Sequence, residues 1–287
     1  MSTTESMSET AGAARQRLLG DVPVTQRRLD LAGVSTAVLD GGDGPPMILL
    51  HGPGEFAETW WRVLPGLMRT HRVIAPDLPG HGASVVRDGT LDVQRVIGWL
   101  AGLVEQTCAA PPVLVGRTLG GAIAARFAAA HGDRVERLVL VDSFGLAPFQ
   151  PAPQFGQVLH EFLADPTRHT YEGLMRYCSF DVDRLHADSR AWEALVAYAV
   201  DRAATPSVQA AMTALITEFG TAIPPADLDR IPIPTSLIWG RHDLATALSV
   251  AEQASARHGW PLSVIENAAD DPSLDQPEAF LDALRAR

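Results

Sequence analysis

Short apolar runs alternate along this chain with longer stretches in which apolar residues recur at helical spacing. Four runs early in the chain predict buried strands, namely Met47–Leu50, Arg72–Ala75, Val113–Val115 and Arg137–Val141. Between them, the 3–4-residue spacing predicts helices over Glu58–Thr70, Leu91–Glu105 and from Leu119 onward. Strands that are apolar throughout and alternate with helices indicate a mainly parallel central sheet, flanked by helices on both faces.

Both ends of the chain extend this α/β pattern. A short helix over Ala13–Leu19 precedes two alternating runs, Gln26–Leu31 and Ser35–Leu39, which predict a hairpin turning at Ala32-Gly33. Near the carboxyl end the expected elements are two strands and two helices, at Thr235–Trp239, Leu248–Arg257, Leu262–Ile265 and Pro277–Arg285. The last two strands would extend the same sheet.

The alternation stops between residues 146 and 229. No buried strand is evident there, and four amphipathic helices are predicted instead, near Phe155–Leu163, Tyr171–Tyr177, Asp188–Asp201 and Val208–Phe219. We interpret residues 146–229 as a helical cap inserted between two strands of an α/β core formed by residues 25–145 and 230–287. Residues 1–24 are expected to be a flexible tail and a short helix.

Composition limits the class of protein. At 287 residues and 46% hydrophobic content, the chain can bury the core of one large domain. Its formal charge of −11 and its lack of a Lys/Arg cluster argue against a nucleic acid or membrane partner. The first ten residues lack a basic and an apolar region, and no apolar run approaches the roughly 20 residues of a membrane span. These features predict a soluble, cytoplasmic protein.

The sequence contains no pattern that indicates a cofactor. Its two cysteines, Cys108 and Cys178, belong to no CxxC or Cys/His ligand pattern, so no metal site is predicted. A phosphate-binding loop and a dinucleotide fingerprint are both absent from the sequence. We therefore expect a small-molecule ligand or substrate and no cofactor. The pattern carries no information on oligomeric state.

The segment Pro112–Ala130 carries the clearest chemical motif. The strand ends at Gly116, and Thr118 stands in the turn before a helix that opens with Leu119-Gly120-Gly121. Strand, glycine-flanked turn and helix form the nucleophile-elbow pattern, which exposes its central residue at the carboxyl end of a strand. Because Thr118 is β-branched, either its backbone is strained or the turn has relaxed.

The chain resembles the α/β-hydrolase superfamily over residues 25–286. The resemblance rests on five segments in order, namely His51-Gly52-Pro53-Gly54, Asp77-Leu78-Pro79-Gly80-His81-Gly82, Gly116–Gly121, Trp239-Gly240-Arg241-His242-Asp243 and Gln276-Pro277-Glu278-Ala279-Phe280. It implies an α/β-hydrolase fold, an elbow nucleophile, an acid after a late strand and a histidine before the last helix.

The catalytic positions implied by this resemblance depart from the family pattern. The acid position falls on Asp243, the nucleophile position on Thr118, and the histidine position on Asp270. One oxyanion donor is the backbone N–H of Leu119. The other would belong to Pro53, which has no N–H.

Other residues near the implied site are candidates for binding or proton transfer. Glu55 follows the His51-Gly52 turn, where the family's side chains line the cavity, and could act as a general acid or base. In the family the histidine of this turn bonds backbone beneath the oxyanion loop. Trp60 and aromatic residues of the cap suggest an apolar ligand. His160, His169, His186 and His242 are candidates for a displaced base, and the alternative for each is a surface or structural histidine.

Three altered catalytic positions predict that ordinary ester hydrolysis is nearly lost. The leading expectation is therefore a repurposed pocket, used either for non-hydrolytic chemistry through Asp243, Asp270 or Glu55 or for ligand binding alone. The alternative is a hydrolase of an ester or similar bond that uses Thr118 or a water activated by a carboxylate.

Overall fold

The computed structural model describes residues 12–286, and the predicted tail over residues 1–10 lies outside them. A nine-stranded sheet occupies the centre of the described chain, in the order β1-β2-β4-β3-β6-β7-β8-β9, with β5 paired to β2. The strands are β1 Val24–Leu31, β2 Val34–Gly41, β3 Pro46–Leu50, β4 Arg72–Pro76, β5 Val85–Val86, β6 Val113–Arg117, β7 Arg137–Val141, β8 Thr235–Gly240 and β9 Leu262–Ile265. All pairs from β4 to β9 are parallel, which confirms the predicted fold class.

The first two strands form the predicted hairpin at one edge. Ala32 and Gly33 both have positive φ, of 47° and 76°, and connect the antiparallel pair β1–β2. β2 also pairs antiparallel to β4. The hairpin therefore adds the antiparallel part of an otherwise parallel sheet.

Helices cover both faces of the sheet and fill the long insertion. Residues 12–19 form the first helix, α1. The others are α2 Leu64–Leu67, α3 Val93–Thr107, α4 Leu119–His131, α5 Pro153–Ala164, α6 Arg168–Cys178, α7 Val182–Ala187, α8 Ser189–Ala203, α9 Pro206–Phe219, α10 Pro225–Leu228, α11 Leu248–His258, α12 Pro272–Asp275 and α13 Pro277–Arg285. No helix within residues 12–286 is both long and apolar enough to cross a membrane.

The prediction of one continuous helix over Glu58–Thr70 is wrong. This stretch contains a 3-10 turn over Ala57–Trp60 and the short helix α2. Pro65 occupies the first turn of α2, where its missing N–H is tolerated, but within a longer helix its ring would clash with the preceding turn. The break determines which of the two neighbouring tryptophans, Trp60 or Trp61, lines the cavity described below.

The sheet separates two apolar cores. In β3 and β6 successive side chains point to opposite faces, so Ile48 and Leu114 pack in one core, whereas Leu49 and Val115 pack in the other. These residues are fully buried. The parallel register brings the carboxyl ends of β3, β6, β7 and β8 to one edge, where ligands bind in open α/β sheets.

Residues 146–229, called here the helical segment, connect two strands that are direct neighbours. β7 and β8 pair with each other, with Val139 opposite Ser236, so the insertion does not interrupt the sheet. Helices α5, α6 and α8 pack on one another. Their apolar cluster also contains Ala245 and Leu274, which follow β8 and β9, so the helical segment lies against the carboxyl edge of the sheet.

Candidate active site

The turn between β6 and α4 has the sharp geometry of an elbow. Thr118 has φ 45° and ψ −108°, a conformation that non-glycine residues rarely adopt. A Cβ on Gly116 would lie 2.4 Å from the carbonyl oxygen of Gly120, and one on Gly120 would lie 2.4 Å from that of Leu50. The neighbours leave no room for side chains at these glycines. The turn has therefore kept its tight form, and Thr118 bears a strain of about 1–3 kcal/mol.

Backbone hydrogen bonds hold Thr118 in this conformation. Its N–H donates to the carbonyl of Val141 at 2.9 Å, and its own carbonyl accepts from Phe144 at 3.0 Å. By contrast, its hydroxyl oxygen is buried and has no hydrogen-bond partner. Buried polar atoms are nearly always satisfied, so this hydroxyl is available to a ligand or a reacting group.

One backbone donor of an oxyanion hole is present beside Thr118. Leu119 is the first residue of α4, so its N–H has no partner four residues earlier in the helix. The positive end of the helix dipole adds to its attraction for negative charge. Pro53 lines the same cavity and cannot donate.

Arg117 forms a buried ion pair beneath the elbow with two carboxylates of the cavity wall. Its side chain is 1% exposed and contacts Glu55 and Asp271. Its guanidinium carbon also lies 5.3 Å from the centre of the Trp60 ring. The buried arginine therefore fixes both carboxylates at the floor of the cavity.

Glu55 is a carboxylate that borders the same gap as the Thr118 hydroxyl. Its Oε2 accepts a hydrogen bond from the N–H of Gly52 at 2.9 Å. A Cβ on Gly52 would lie 2.5 Å from Thr118 Oγ1 and 3.2 Å from Glu55 Oε1, so the two oxygens border the same small gap. A water molecule or the hydroxyl itself could transfer a proton to Glu55 there.

Asp142 and Asp243 form a carboxyl pair at the ends of β7 and β8. Asp142 accepts from the N–H of Gly240 at 2.9 Å, and Asp243 accepts from Ala245 and Thr246 at 2.7 and 2.9 Å. The Oδ2 atom of each is buried without a protein donor. Burial raises the pKa of Asp243 to about 7, and burial together with Asp243 raises the pKa of Asp142 well above its usual range. The interaction between the two carboxyl groups raises the pKa of Asp142 and lowers that of Asp243, so Asp142 is the member of the pair that binds a proton more readily.

Asp270 lines the cavity with Thr118, whereas Asp243 lies behind it. Burial, and then the proximity of Asp243, raise the pKa of Asp270 well above its usual range. Its carboxyl group also makes a hydrogen bond with the thiol of Cys178, at the end of α6. The raised pKa favours the protonated carboxyl group, which can donate a hydrogen bond, whereas the family position would hold a base.

None of the nine histidines lines the cavity. His51 is fully buried; its Nε2 accepts from the N–H of Leu78 at 3.0 Å, and its Nδ1 bonds the carbonyl of Gly52 at 2.7 Å. Burial lowers its pKa to about 4, so it stays neutral and orders the loop. The considered replacements do not reach the site: His160, His169 and His242 are exposed, and His186 packs on Trp192.

The cavity has a volume of about 190 Å³ and largely apolar walls. Thr118, Glu55, Asp270 and Asp271 form one polar group of its lining, next to Pro53. The predicted Trp60 does not line it, because the broken helix directs that ring into the core below the sheet, 1% exposed and beside Phe280. The next residue, Trp61, lines the cavity together with Phe56, Phe144, Phe149, Phe155, Leu159, Phe162, Tyr171, Leu174, Met175, Leu195 and Met212.

Comparison with known proteins agrees with this architecture. Residues 47–283 match the model of the alpha/beta hydrolase family. The chain belongs to the alpha/beta hydrolase family. The structure superposes on naproxen esterase of Bacillus subtilis with a TM-score of 0.83, at 18% identity and over 99% of this chain and 98% of that one, which is a likeness of fold.

Relatives in this family have hydrolase names. The chain is 27% identical over 266 residues to a 2-hydroxy-6-oxo-6-(2'-aminophenyl)hexa-2,4-dienoic acid hydrolase of Metapseudomonas resinovorans, which covers 90% of this chain and 89% of that protein. It is 30% identical over 245 residues to a pimeloyl-[acyl-carrier protein] methyl ester esterase of Neisseria meningitidis, covering 81% and 88%. A 2-hydroxy-6-oxo-6-phenylhexa-2,4-dienoate hydrolase of a Rhodococcus species has a TM-score of 0.77 at 25% identity, covering 92% and 99%.

These relatives overturn the leading functional expectation from the sequence. The expectation of non-hydrolytic chemistry or of ligand binding alone is wrong, because similar proteins over most of the chain are hydrolases. The error came from weighing the missing histidine and Pro53 without knowing which groups converge on Thr118. In the folded chain burial raises the pKa of Asp270, and Glu55 borders the same gap as the Thr118 hydroxyl.

Proposed function

We propose that this protein hydrolyses an ester or a similar acyl bond in a small, mainly apolar molecule. The observation that carries the proposal is the unpartnered hydroxyl of Thr118, which faces an enclosed apolar cavity between the amino end of α4 and the carboxyl groups of Glu55 and Asp270. The hydrolase names of the relatives support the reaction class. The names of the dienoic acid hydrolases also support a small organic substrate.

The proposed mechanism assigns a separate task to each group. Glu55 accepts the proton of the attacking oxygen, and the N–H of Leu119 with the α4 dipole stabilises the negative charge on the carbonyl oxygen. Protonated Asp270 donates a second hydrogen bond, which would replace the donor that Pro53 lacks. Burial and the nearby Asp243 favour the protonated form of Asp270, because its ionisation would place a second negative charge beside Asp243.

The attacking oxygen is either the Thr118 hydroxyl or a water molecule. The position of Thr118 at the elbow and the gap shared with Glu55 favour the hydroxyl. Its oxygen would bond to the acyl carbon while the bond from that carbon to the alcohol oxygen breaks, and the alcohol would leave with the proton that Glu55 had accepted. Water would then give a proton to Glu55 and attack the acyl-threonine, and Glu55 would return that proton to Thr118 as the acid is released. A water in the same gap would attack directly and leave no covalent intermediate. A carboxylate is a weaker base than histidine at neutral pH, so turnover should be slow by either route.

We infer that the helical segment acts as a cap over this chemistry. Its helices supply most of the apolar wall, and the reacting groups come from the carboxyl edge of the sheet and its loops. Such a division would let the cap select the substrate and exclude water.

Hydrolysis of a short-chain 4-nitrophenyl ester tests the proposal. We expect activity in the wild type and a loss of about 10²–10⁴-fold in Thr118→Ala, as expected when a catalytic nucleophile is removed. Thr217→Ala, an exposed site on α9, is the matched control. An acyl adduct on Thr118 in the mass spectrum identifies the covalent route, whereas activity retained in Thr118→Ala but lost in Glu55→Gln identifies water attack. Activity equal in all variants would refute the proposed site.

A further inference from the structure

The cavity has a second polar group of residues where α8 meets α9. Arg202, in the last turn of α8, and Gln209, in the first turns of α9, both line the cavity. The surrounding wall consists of Ala199, Ala203 and Val208. Among the lining residues within the described chain, Arg202 is the only one with a positive charge. The proposed hydrolysis assigns it no role.

The hydrogen bonds of Arg202 leave one face of its guanidinium open. Nε and Nη2 both donate to Oδ2 of Asp201, the Nε bond being 2.8 Å long. Nη1 donates to no group among residues 12–286. Asp201 therefore holds the guanidinium in place, and the two N–H groups of Nη1 remain available to a ligand.

Gln209 is held at the same junction. Its Nε2 donates one N–H to the carbonyl of Ala203 at 2.6 Å, and the second N–H of the same amide is not used in that bond. The junction also contains the amino end of α9, which is 14 residues long and has a positive dipole end. Donors from two side chains, Arg202 and Gln209, thus meet at one end of an apolar cavity, next to the positive end of the α9 dipole.

This junction is separated from the reacting groups by an apolar stretch. Met212 lies one turn beyond Gln209 on α9, and its sulfur is 3.5 Å from the position of a Cβ on Gly54, next to Glu55. Gln209 therefore lies about 5 Å further along the helix from that contact. A ligand that reaches from Thr118 to Arg202 must pass the apolar wall between them.

On the basis of the proposed function, we propose that Arg202 and Gln209 bind a carboxylate at the end of the substrate remote from the bond that is hydrolysed. The substrate class is then an acyl compound with an apolar middle and a free carboxylate at its far end. An enclosed carboxylate requires charge-assisted donors, and arginine supplies them with fixed geometry. The carboxylates Glu55 and Asp271 lie at the opposite end of the cavity and share the positive charge of Arg117, which reduces their repulsion of such a group.

Paired ester probes test this assignment. The probes are mono-4-nitrophenyl esters of straight-chain dicarboxylic acids of increasing length, each compared with the 4-nitrophenyl ester of the methyl-terminated acid of equal length. At the best length, the wild type should favour the carboxylate probe in kcat/KM, and Arg202→Gln should reduce this preference by about 10- to 100-fold. Because the contact is the same before and during reaction, KM should carry most of the change.

Two variants serve as comparisons for Arg202→Gln. Arg190→Gln removes an exposed arginine from the same helix and should leave the preference unchanged. Arg202→Lys keeps the charge without the fork of donors, and it should retain part of the preference. Equal use of both probes by the wild type, or an equal preference in wild type and Arg202→Gln, would overturn the assignment and leave the proposed hydrolysis standing.

A binding measurement separates this assignment from hydrolysis itself. Ketone analogues of the two probes, in which a methylene replaces the ester oxygen, can be titrated by calorimetry. If neither ester is turned over, tighter binding of the carboxylate ketone to the wild type than to Arg202→Gln would still support the carboxylate site. Equal binding of the two ketones to the wild type would refute it.

Discussion

Asp142 and Asp243 form a buried carboxyl pair across the ends of two adjacent strands. Each uses one oxygen to accept backbone hydrogen bonds, and the other oxygen of each has no hydrogen-bond donor among the described residues. We expect this pair to hold one proton between its two carboxyl groups. After burial, Asp243 is the largest cause of the raised pKa of Asp270. The electrostatics of the site therefore come from residues that do not contact substrate.

The shared proton predicts how stability changes with pH. A carboxyl whose pKa is raised by folding keeps its proton where the unfolded chain has lost it, so the free energy of unfolding falls as pH rises through that interval. For Asp243 the interval runs from about pH 4, its unfolded value, to about 7.

Replacing Asp142 should flatten this dependence. Asp142→Asn removes one titrating group, so the unfolding free energy of the variant should fall less steeply with pH than that of the wild type. The two slopes should differ by up to about 1.4 kcal/mol per pH unit. Urea denaturation at several pH values measures it. Asp165→Asn, at an exposed site, should follow the wild type. Parallel curves for Asp142→Asn and wild type would contradict the shared proton.

The protonated state of Asp270 predicts the alkaline side of the activity profile. Hydrolysis by the wild type should decline as Asp270 ionises, because the donor becomes a carboxylate. Asp270→Asn keeps an N–H donor, so it should retain activity within about tenfold and lose the alkaline decline. Asp270→Ala should lose about 10²–10³-fold in kcat. If Asp270→Asn were as inactive as Asp270→Ala, Asp270 would be acting as a base.

Glu55 and Asp271 offer a matched pair, since Arg117 binds both. Glu55→Gln removes the proposed proton acceptor and should lower kcat by about 10²–10⁴-fold. Asp271→Asn weakens the other half of the same ion pair and leaves the acceptor in place, so its kcat should stay close to that of the wild type. Thermal unfolding of both variants measures how much stability each one loses when its half of the ion pair with Arg117 is weakened. Equal losses of kcat would make Glu55 a structural residue only.

Gly52 predicts a purely steric effect on the site. A methyl group there would lie 2.5 Å from Thr118 Oγ1 and would fill the gap beside Glu55. Gly52→Ala should therefore lose nearly all hydrolysis. Gly98→Ala in α3 meets no atom within 4 Å and should stabilise the protein by about 0.5–1 kcal/mol without loss of activity. Full activity in Gly52→Ala would exclude a reaction in this gap.

The sequence predicts the sheet and the elbow because their signals are local. Apolar runs, glycines and the position of Thr118 lie within a few residues of one another. The raised pKa of Asp270 is different, since it depends on burial and on Asp243, which approaches Asp270 only in the folded chain. Trp61 replaces Trp60 in the cavity wall, and the local cause is Pro65, which breaks the predicted helix. The apolar pattern does not reveal how this break directs the preceding tryptophan rings.

The direct pairing of β7 with β8 makes the protein modular. All groups proposed to react come from the sheet and its loops, whereas Arg202, Gln209 and much of the apolar wall belong to residues 146–229. An exchange of that insertion between related chains would join the same two strands and keep the reacting groups. New specificity could therefore be acquired in a single recombination event, without any change to the chemistry beneath.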